Sequence, residues 1–214
     1  MPVFLRDETS LLFMHVPKTG GTSIEQHFRN AGFRIHFRAT RKTERLERFQ
    51  LRRCSPQHFH AALVQEILRI DRFDAIFMIV RDPIARFRSE YAMRHVTQPE
   101  HAEAGRLDPA EVEAWAEKVL AVYEKKNPYV RDNHLRPQHE FELPGTLVYR
   151  LEDGLGPLIA DLDDRLGLDL PREVPHALSR QQAVGILSRD VPVSSTLEKR
   201  LREVYAEDFS RYGY

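Results

Sequence analysis

The sequence predicts an α/β fold in which a parallel β-sheet is flanked by helices on both faces. Three observations predict it. Two continuous apolar runs, Leu11-Leu12-Phe13-Met14-His15-Val16 and Ala75-Ile76-Phe77-Met78-Ile79-Val80, are too short for helices and have the composition of strands buried on both sides. Each run passes directly into residues that open a helix: Gly20-Gly21-Thr22-Ser23 after the first, Asp82-Pro83 after the second. Amphipathic segments then alternate with further short strands, the order that builds a sheet with its ligand sites beyond the carboxyl ends of its strands.

The elements follow in order. Pro17 ends the first strand, and Thr22 or Ser23 caps a helix running to about Asn30, with Ile24 and Phe28 four apart on one face. Gly32 to Phe37 alternates as a short strand. Ser55-Pro56 supplies a cap and a first-turn proline for a helix with Phe59, Leu63 and Ile67 at four-residue spacing. After the strand Ala75–Val80 and its helix, a helix is expected from Pro109 to about Lys126, and Gly145 to Leu151 reads as a third core strand. Ser194 or Ser195 caps a last helix with Leu197, Leu201, Val204 and Tyr205 on its face.

Composition narrows the function. The chain has 214 residues and a mass of 25.0 kDa, with no repeat, low-complexity tract or Gly/Ser linker, so one domain spanning residues 1–214 is expected. No stretch approaches the ~20 apolar residues of a membrane span, and the N-terminus lacks a basic segment followed by an apolar one. The single cysteine, Cys54, can form no internal disulfide, and a cytoplasmic protein is expected. Lys and Arg total 32, as do Asp and Glu, so no global field recruits nucleic acid or a membrane surface. The charge is nevertheless segregated. Arg29–Arg53 carries nine basic and two acidic residues, whereas Glu100–Glu124 carries seven acidic and two basic. Each is read as a solvated face, with the basic one as a second candidate for attracting an anionic acceptor.

His15-Val16-Pro17-Lys18-Thr19-Gly20-Gly21-Thr22-Ser23 joins the end of a buried strand to the start of a helix, where unpaired backbone N–H groups and the helix dipole favour an anion. Gly20 and Gly21 let the backbone approach phosphate oxygens, Thr22 and Ser23 offer hydroxyls, and Lys18 brings a positive charge to a bridging oxygen. A nucleoside-triphosphate P-loop places its lysine after the glycines; here Lys18 precedes them. With that inverted order the segment resembles the 5′-phosphosulfate loop of sulfotransferases that use 3′-phosphoadenosine 5′-phosphosulfate (PAPS). The likeness is to the carbohydrate group that includes the heparan sulfate 2-O-sulfotransferases. The resemblance implies the P-loop-like sulfotransferase fold, PAPS as co-substrate gripped by Lys18, Thr19, Gly20, Gly21, Thr22 and Ser23, and a hydroxylated acceptor, by family a carbohydrate.

Arg81-Asp82-Pro83-Ile84-Ala85-Arg86-Phe87-Arg88-Ser89-Glu90-Tyr91 is similar to the same family's 3′-phosphate loop. The resemblance gives Arg81 and Ser89 the 3′-phosphate, and an arginine fork suits its paired oxygens. Arg86 and Arg88 are expected on a solvated helix face. The resemblance also covers, more loosely, the segment Asp132–Gln138 and the tail Tyr205–Phe209.

Sulfuryl transfer needs in-line positioning and a group to take the acceptor's proton. A His-x-His pair lies between the two phosphate motifs in the 2-O-sulfotransferase-like proteins, and His58-Phe59-His60 occupies that stretch here, with Phe59 where the eukaryotic pair has glycine. The resemblance favours His60 as the base, with His58 beside it and His134 and Glu25 as further candidates. Asp132-Asn133-His134-Leu135-Arg136-Pro137-Gln138 is dense in hydrogen-bonding groups. Two readings stand: His134, Arg136 and Gln138 border the acceptor cleft, or the segment is a turn in which Arg136 pairs with a carboxylate. Trp115 and Phe141 are expected as core or helix-contact residues rather than as an adenine platform. No His-Glu-x-x-His or Cys-x-x-Cys spacing is present, and no metal is expected. Two alternatives to the transferase are a P-loop nucleotide kinase and a non-catalytic nucleotide-binding protein of the same fold.

Overall fold

The computed structural model describes residues 1–38, 52–95, 107–174 and 186–214. Most of the basic stretch Arg29–Arg53 and the start of the acidic stretch lie outside the described residues. The chain divides into two compact units, Met1–Val80 with Glu140–Ala177 and Arg81–His139 with Leu178–Tyr214.

The first unit holds a five-stranded sheet of β1 (Val3–Arg6), β2 (Thr9–Met14), β3 (Arg34–His36), β4 (Ala75–Val80) and β5 (Leu147–Arg150), in the order β3-β1-β2-β4-β5. Strands β2, β4 and β5 are parallel, with Met14 opposite Met78 and Met78 opposite Val148. The expected parallel sheet is present, with one antiparallel strand added. Strand β1 runs antiparallel to both β2 and β3. It is the first arm of a hairpin whose turn places Asp7 in the left-handed region, a conformation a short polar side chain tolerates. Strand β5 lies at an edge and leaves Val148 exposed, whereas Phe77 to Val80 of β4 are fully buried.

Alternation divides the side chains between two faces. Phe4, Leu11, Phe13, Phe77 and Ile79 share one core with Ile24 and Phe28 of α1 (Gly21–Asn30) and Leu158, Ile159 and Leu162 of α5 (Gly156–Leu166). Its centre is aromatic, with the rings of Phe4 and Phe28 stacked at 4.6 Å and those of Phe13 and Phe77 at 5.0 Å. Leu12, Met14, Met78 and Val80, on the opposite face, are equally buried. The helix expected from Ser55 is broken in two. Pro56–His58 forms a 3₁₀ turn, Phe59 and His60 are extended, and α2 (Ala61–Ile67) follows. Its buried residue is Val64, and Ile67 is exposed, so the four-residue apolar spacing did not mark the packed face.

The second unit is helical: α3 (Pro83–His95), α4 (Pro109–Lys125), α6 (Ser195–Val204) and α7 (Ala206–Tyr212). Phe87, Tyr91, Val112, Ala116, Leu120, Leu197, Leu201 and Tyr205 form its core. Helices α4 and α6 carry side-chain caps, the second of them at the expected Ser194. Asp108 accepts from the Ala110 N–H at 2.9 Å, and Ser194 Oγ accepts from the Leu197 N–H at 3.1 Å. Trp115 packs edge-on against Tyr91 at 5.2 Å, and Phe141, in the first unit, is buried. Among the described residues, no helix is long and apolar enough to cross a membrane.

Candidate active site

Strands β2 and β4 are parallel neighbours, so the segments that follow them leave the sheet from the same edge. After β2 the chain turns sharply, with the Val16 N–H donating to the Met14 carbonyl at 3.0 Å. Lys18 and Gly20 both adopt positive φ, 71° and 86°. Gly20, not Thr22 or Ser23, caps α1, and no side chain makes a cap bond there. The hydroxyls expected as caps sit instead on the first turn, with Thr22 exposed and Ser23 half-buried. Thr19 is buried and its hydroxyl donates to the Val16 carbonyl at 2.8 Å, closing the loop from within. The Ser23 N–H donates to the Gly20 carbonyl at 3.0 Å, so the Gly21 and Thr22 amides are the ones at the start of α1 with no preceding helical carbonyl, and no acidic side chain lies in that turn. Lys18, half-buried, provides the loop's cationic side chain. Such an arrangement can cradle an anion.

Gly21 has a steric reason to be glycine. A Cβ at this position would lie 2.0 Å from His15 Nε2. The His15 ring stacks on Phe13 at 5.1 Å and meets His58 edge-on at 5.2 Å. The Gln57 side-chain amide lies 3.1 Å from His15 Nδ1 and donates to Glu25 Oε1 at 3.0 Å, and Arg38 Nε donates to Glu25 Oε2 at 2.6 Å. Burial alone would raise the Glu25 pKa, but the hydrogen bond and charge of His15, together with Arg38, hold it below the ordinary carboxylate value. A carboxylate so stabilised is a weak base, which argues against Glu25 as proton acceptor. His58 ends the 3₁₀ turn, with Ser55 Oγ 3.4 Å from its Nδ1, and His60 occupies the N-cap position of α2 with extended backbone. Both histidines are buried.

In the second unit, Arg81 directly follows the last residue of β4, and Asp82 caps α3 by accepting from the Ala85 N–H at 2.6 Å. Ser89, two turns along α3, is buried. Arg86 corrects an expectation: it is 2% exposed rather than on a solvated face. Its guanidinium donates to the His134 carbonyl at 3.1 Å and the Arg136 carbonyl at 2.9 Å and lies 5.1 Å from the Tyr205 ring centroid. Arg86, Glu90 and Arg94 are four residues apart and so line one stripe of α3. All three bind the loop before Gln138. Glu90 accepts from His134 Nδ1 at 2.5 Å and from Arg94 Nε at 2.7 Å, and Arg94 also donates to the Arg131 carbonyl at 3.3 Å.

Burial would push Glu90 up, but the His134 and Arg94 charges hold its pKa at about 2. Glu90 is therefore ionised and acceptor-only, so His134 Nδ1 carries a hydrogen and, in the neutral ring, Nε2 carries the lone pair. Arg131, Asp132 and Asn133 precede this histidine with three successive positive φ angles, 56°, 61° and 63°. Arg136 donates to Asn133 Oδ1 at 3.1 Å and to the Pro128 carbonyl at 3.4 Å. Gln138 bonds the backbone of Arg81, accepting from its N–H at 2.9 Å and donating to its carbonyl at 2.8 Å.

Gln57 carried no motif of its own, and His15 and Glu90 lay inside the two phosphate motifs without an assigned role. Only the i, i+4 spacing of Arg86, Glu90 and Arg94 offered a sequence signal, and it reads equally as a solvated stripe. Neither a curated protein nor a solved structure gives a match. A family model described as the sulfotransferase family matches residues 1–214. With that match over its whole length, the chain belongs to the sulfotransferase family.

Proposed function

We propose that the whole chain works as one sulfotransferase domain that moves the sulfuryl group of PAPS onto a hydroxyl, with a carbohydrate as the acceptor class. The observation that carries the reading is the order Pro17-Lys18-Thr19-Gly20-Gly21-Thr22-Ser23 between β2 and α1, a cradle whose lysine precedes its glycines. Lys18 and the loop through Ser23, with the Gly21 and Thr22 amides, take the 5′-phosphosulfate, where developing charge on the bridging oxygen meets a fixed cation and fixed dipoles. Arg81 and Ser89 take the 3′-phosphate.

In the transfer step the acceptor oxygen forms a bond to sulfur as the bond from sulfur to the bridging oxygen breaks. The acceptor proton passes to His60, with His58 beside it, and 3′-phosphoadenosine 5′-phosphate leaves. The carbohydrate class rests on the resemblance of both phosphate loops to the 2-O-sulfotransferase group.

The test is PAPS-dependent transfer to a panel of hydroxylated acceptors by wild type, Lys18→Ala, Arg81→Ala and His60→Ala. The protein's unfolding midpoint is measured in parallel. Loss of transfer in all three variants with the midpoint kept is expected. Full activity in Lys18→Ala and Arg81→Ala overturns the proposal, and loss in His134→Ala but not His60→Ala moves the base to the second unit. Stabilisation of the protein by Mg-ATP in preference to 3′-phosphoadenosine 5′-phosphate would instead select a kinase.

A further inference from the structure

We infer that Gln138 is a positioning residue that fixes the backbone of Arg81 and thereby sets discrimination for a 3′-phosphorylated nucleotide. This rests on the proposed role of Arg81. A primary amide offers the same acceptor and donor as a peptide unit, and Gln138 uses both on one residue, its Oε1 accepting from the Arg81 N–H at 2.9 Å and its Nε2 donating to the Arg81 carbonyl at 2.8 Å. Arg81 is the first residue beyond β4, where the sheet no longer supplies hydrogen-bond partners. Gln138 supplies them from 57 residues away.

Gln138 is itself held. Its side chain is fully buried, and its N–H donates to Asp208 Oδ2 at 2.7 Å. Asp208 is also fully buried, and its Oδ1 accepts from the His139 N–H and His139 Nδ1, both at 2.9 Å. Tyr205, one turn earlier, donates its hydroxyl to the Leu135 carbonyl at 2.9 Å. A tail residue thus seats Gln138, and Gln138 seats Arg81. An arginine fork recognises a phosphate in a narrow range of geometry, so a drifting Cα weakens the pair without removing its charge. The amide of Gln138 is committed to Arg81, which gives it this role in place of acceptor contact.

The experiment is calorimetric titration of 3′-phosphoadenosine 5′-phosphate and of AMP, which lacks the 3′-phosphate, into wild type, Gln138→Met, Gln138→Glu and Arg81→Ala. Met removes both hydrogen bonds at similar volume; Glu keeps the acceptor and loses the donor. Loss of two hydrogen bonds is expected to weaken binding of the 3′-phosphorylated nucleotide about tenfold in Gln138→Met, with AMP affinity unchanged within about twofold. A role in folding alone would lower the unfolding midpoint and leave the ratio of the two affinities where it was. If Gln138→Met does not fold, Gln138→Glu decides, with a smaller loss in the same ratio. If Arg81→Ala keeps the preference for the 3′-phosphate, the assignment of Arg81 is wrong. If Arg81→Ala abolishes the preference and neither Gln138 variant changes it, the positioning role alone is overturned.

Discussion

Replacing Gly21 with alanine separates two reasons for a glycine in the anion loop. Gly21 begins α1 and is not among the positive-φ glycines, so alanine suits its backbone and would by propensity stabilise the helix by up to ~1 kcal/mol. Sterically the change is severe, because the new methyl would lie 2.0 Å from His15 Nε2. The ring cannot simply retreat, since it stacks on Phe13 at 5.1 Å, meets His58 at 5.2 Å and has the Gln57 amide 3.1 Å from its Nδ1. Overpacking of this kind costs ~1–3 kcal/mol, and a loss of ~2 kcal/mol would lower the midpoint by about 4–8 °C for a chain of this size.

The assay is thermal and urea unfolding of wild type, Gly21→Ala, His15→Ala and the double variant. His15→Ala vacates the space the methyl needs, so in that background Gly21→Ala should be neutral or stabilising, a coupling of about 2 kcal/mol between the sites. A raised midpoint for Gly21→Ala alone, or additive effects in the double variant, would refute the steric reading. A refolded double variant that no longer binds 3′-phosphoadenosine 5′-phosphate would show that phosphate approach also needs the glycine.

Two further perturbations concern the second unit. Arg86→Leu removes two charge-assisted bonds to loop carbonyls and should cost ~3–5 kcal/mol in urea unfolding; Arg86→Lys should not restore it, because one ammonium cannot reproduce the planar fork. An unchanged midpoint in Arg86→Leu would show that the carbonyls find other donors. Glu90 sets an acid limit. Its pKa falls from 4.5 to about 2 on folding, so the unfolded chain binds more protons between these values and stability rises with pH across that window. The contribution, ~3 kcal/mol, is complete above about pH 4.5 and lost as pH falls toward 2, and Glu90→Gln should flatten that part of the stability–pH profile. A profile identical to wild type would remove Glu90 from the account.

Local chemistry determined what could be read directly. The apolar runs around Phe13 and Phe77 can only be buried strands, and the helix starts at Asp108-Pro109 and Ser194 follow from capping groups close in sequence. The lysine-first loop is a candidate from sequence for the same reason, because the groups such a cradle would use are consecutive residues. Strand β1 was not legible in this way. Val3–Arg6 has too few residues to show a period, and it is a strand because β2 and β3 pair with it on either side. Helix α5 was missed although Gly156-Pro157 opens it and Leu158, Ile159 and Leu162 form its packed face.

Tertiary structure alone decided the fate of the charged residues in α3. From sequence, Arg86 is expected with Arg88 on a solvated helix face; in the fold Arg86 and Glu90 are buried because residues 131–136 pack over them and present carbonyls and an imidazole. The same holds for Gln138, whose partners Arg81 and Asp208 lie 57 and 70 residues away. Capping and strand propensity act over a few residues and leave their mark in the sequence. A buried polar group is fixed by whichever distant atoms complete its hydrogen bonds, and only the folded chain brings those atoms together.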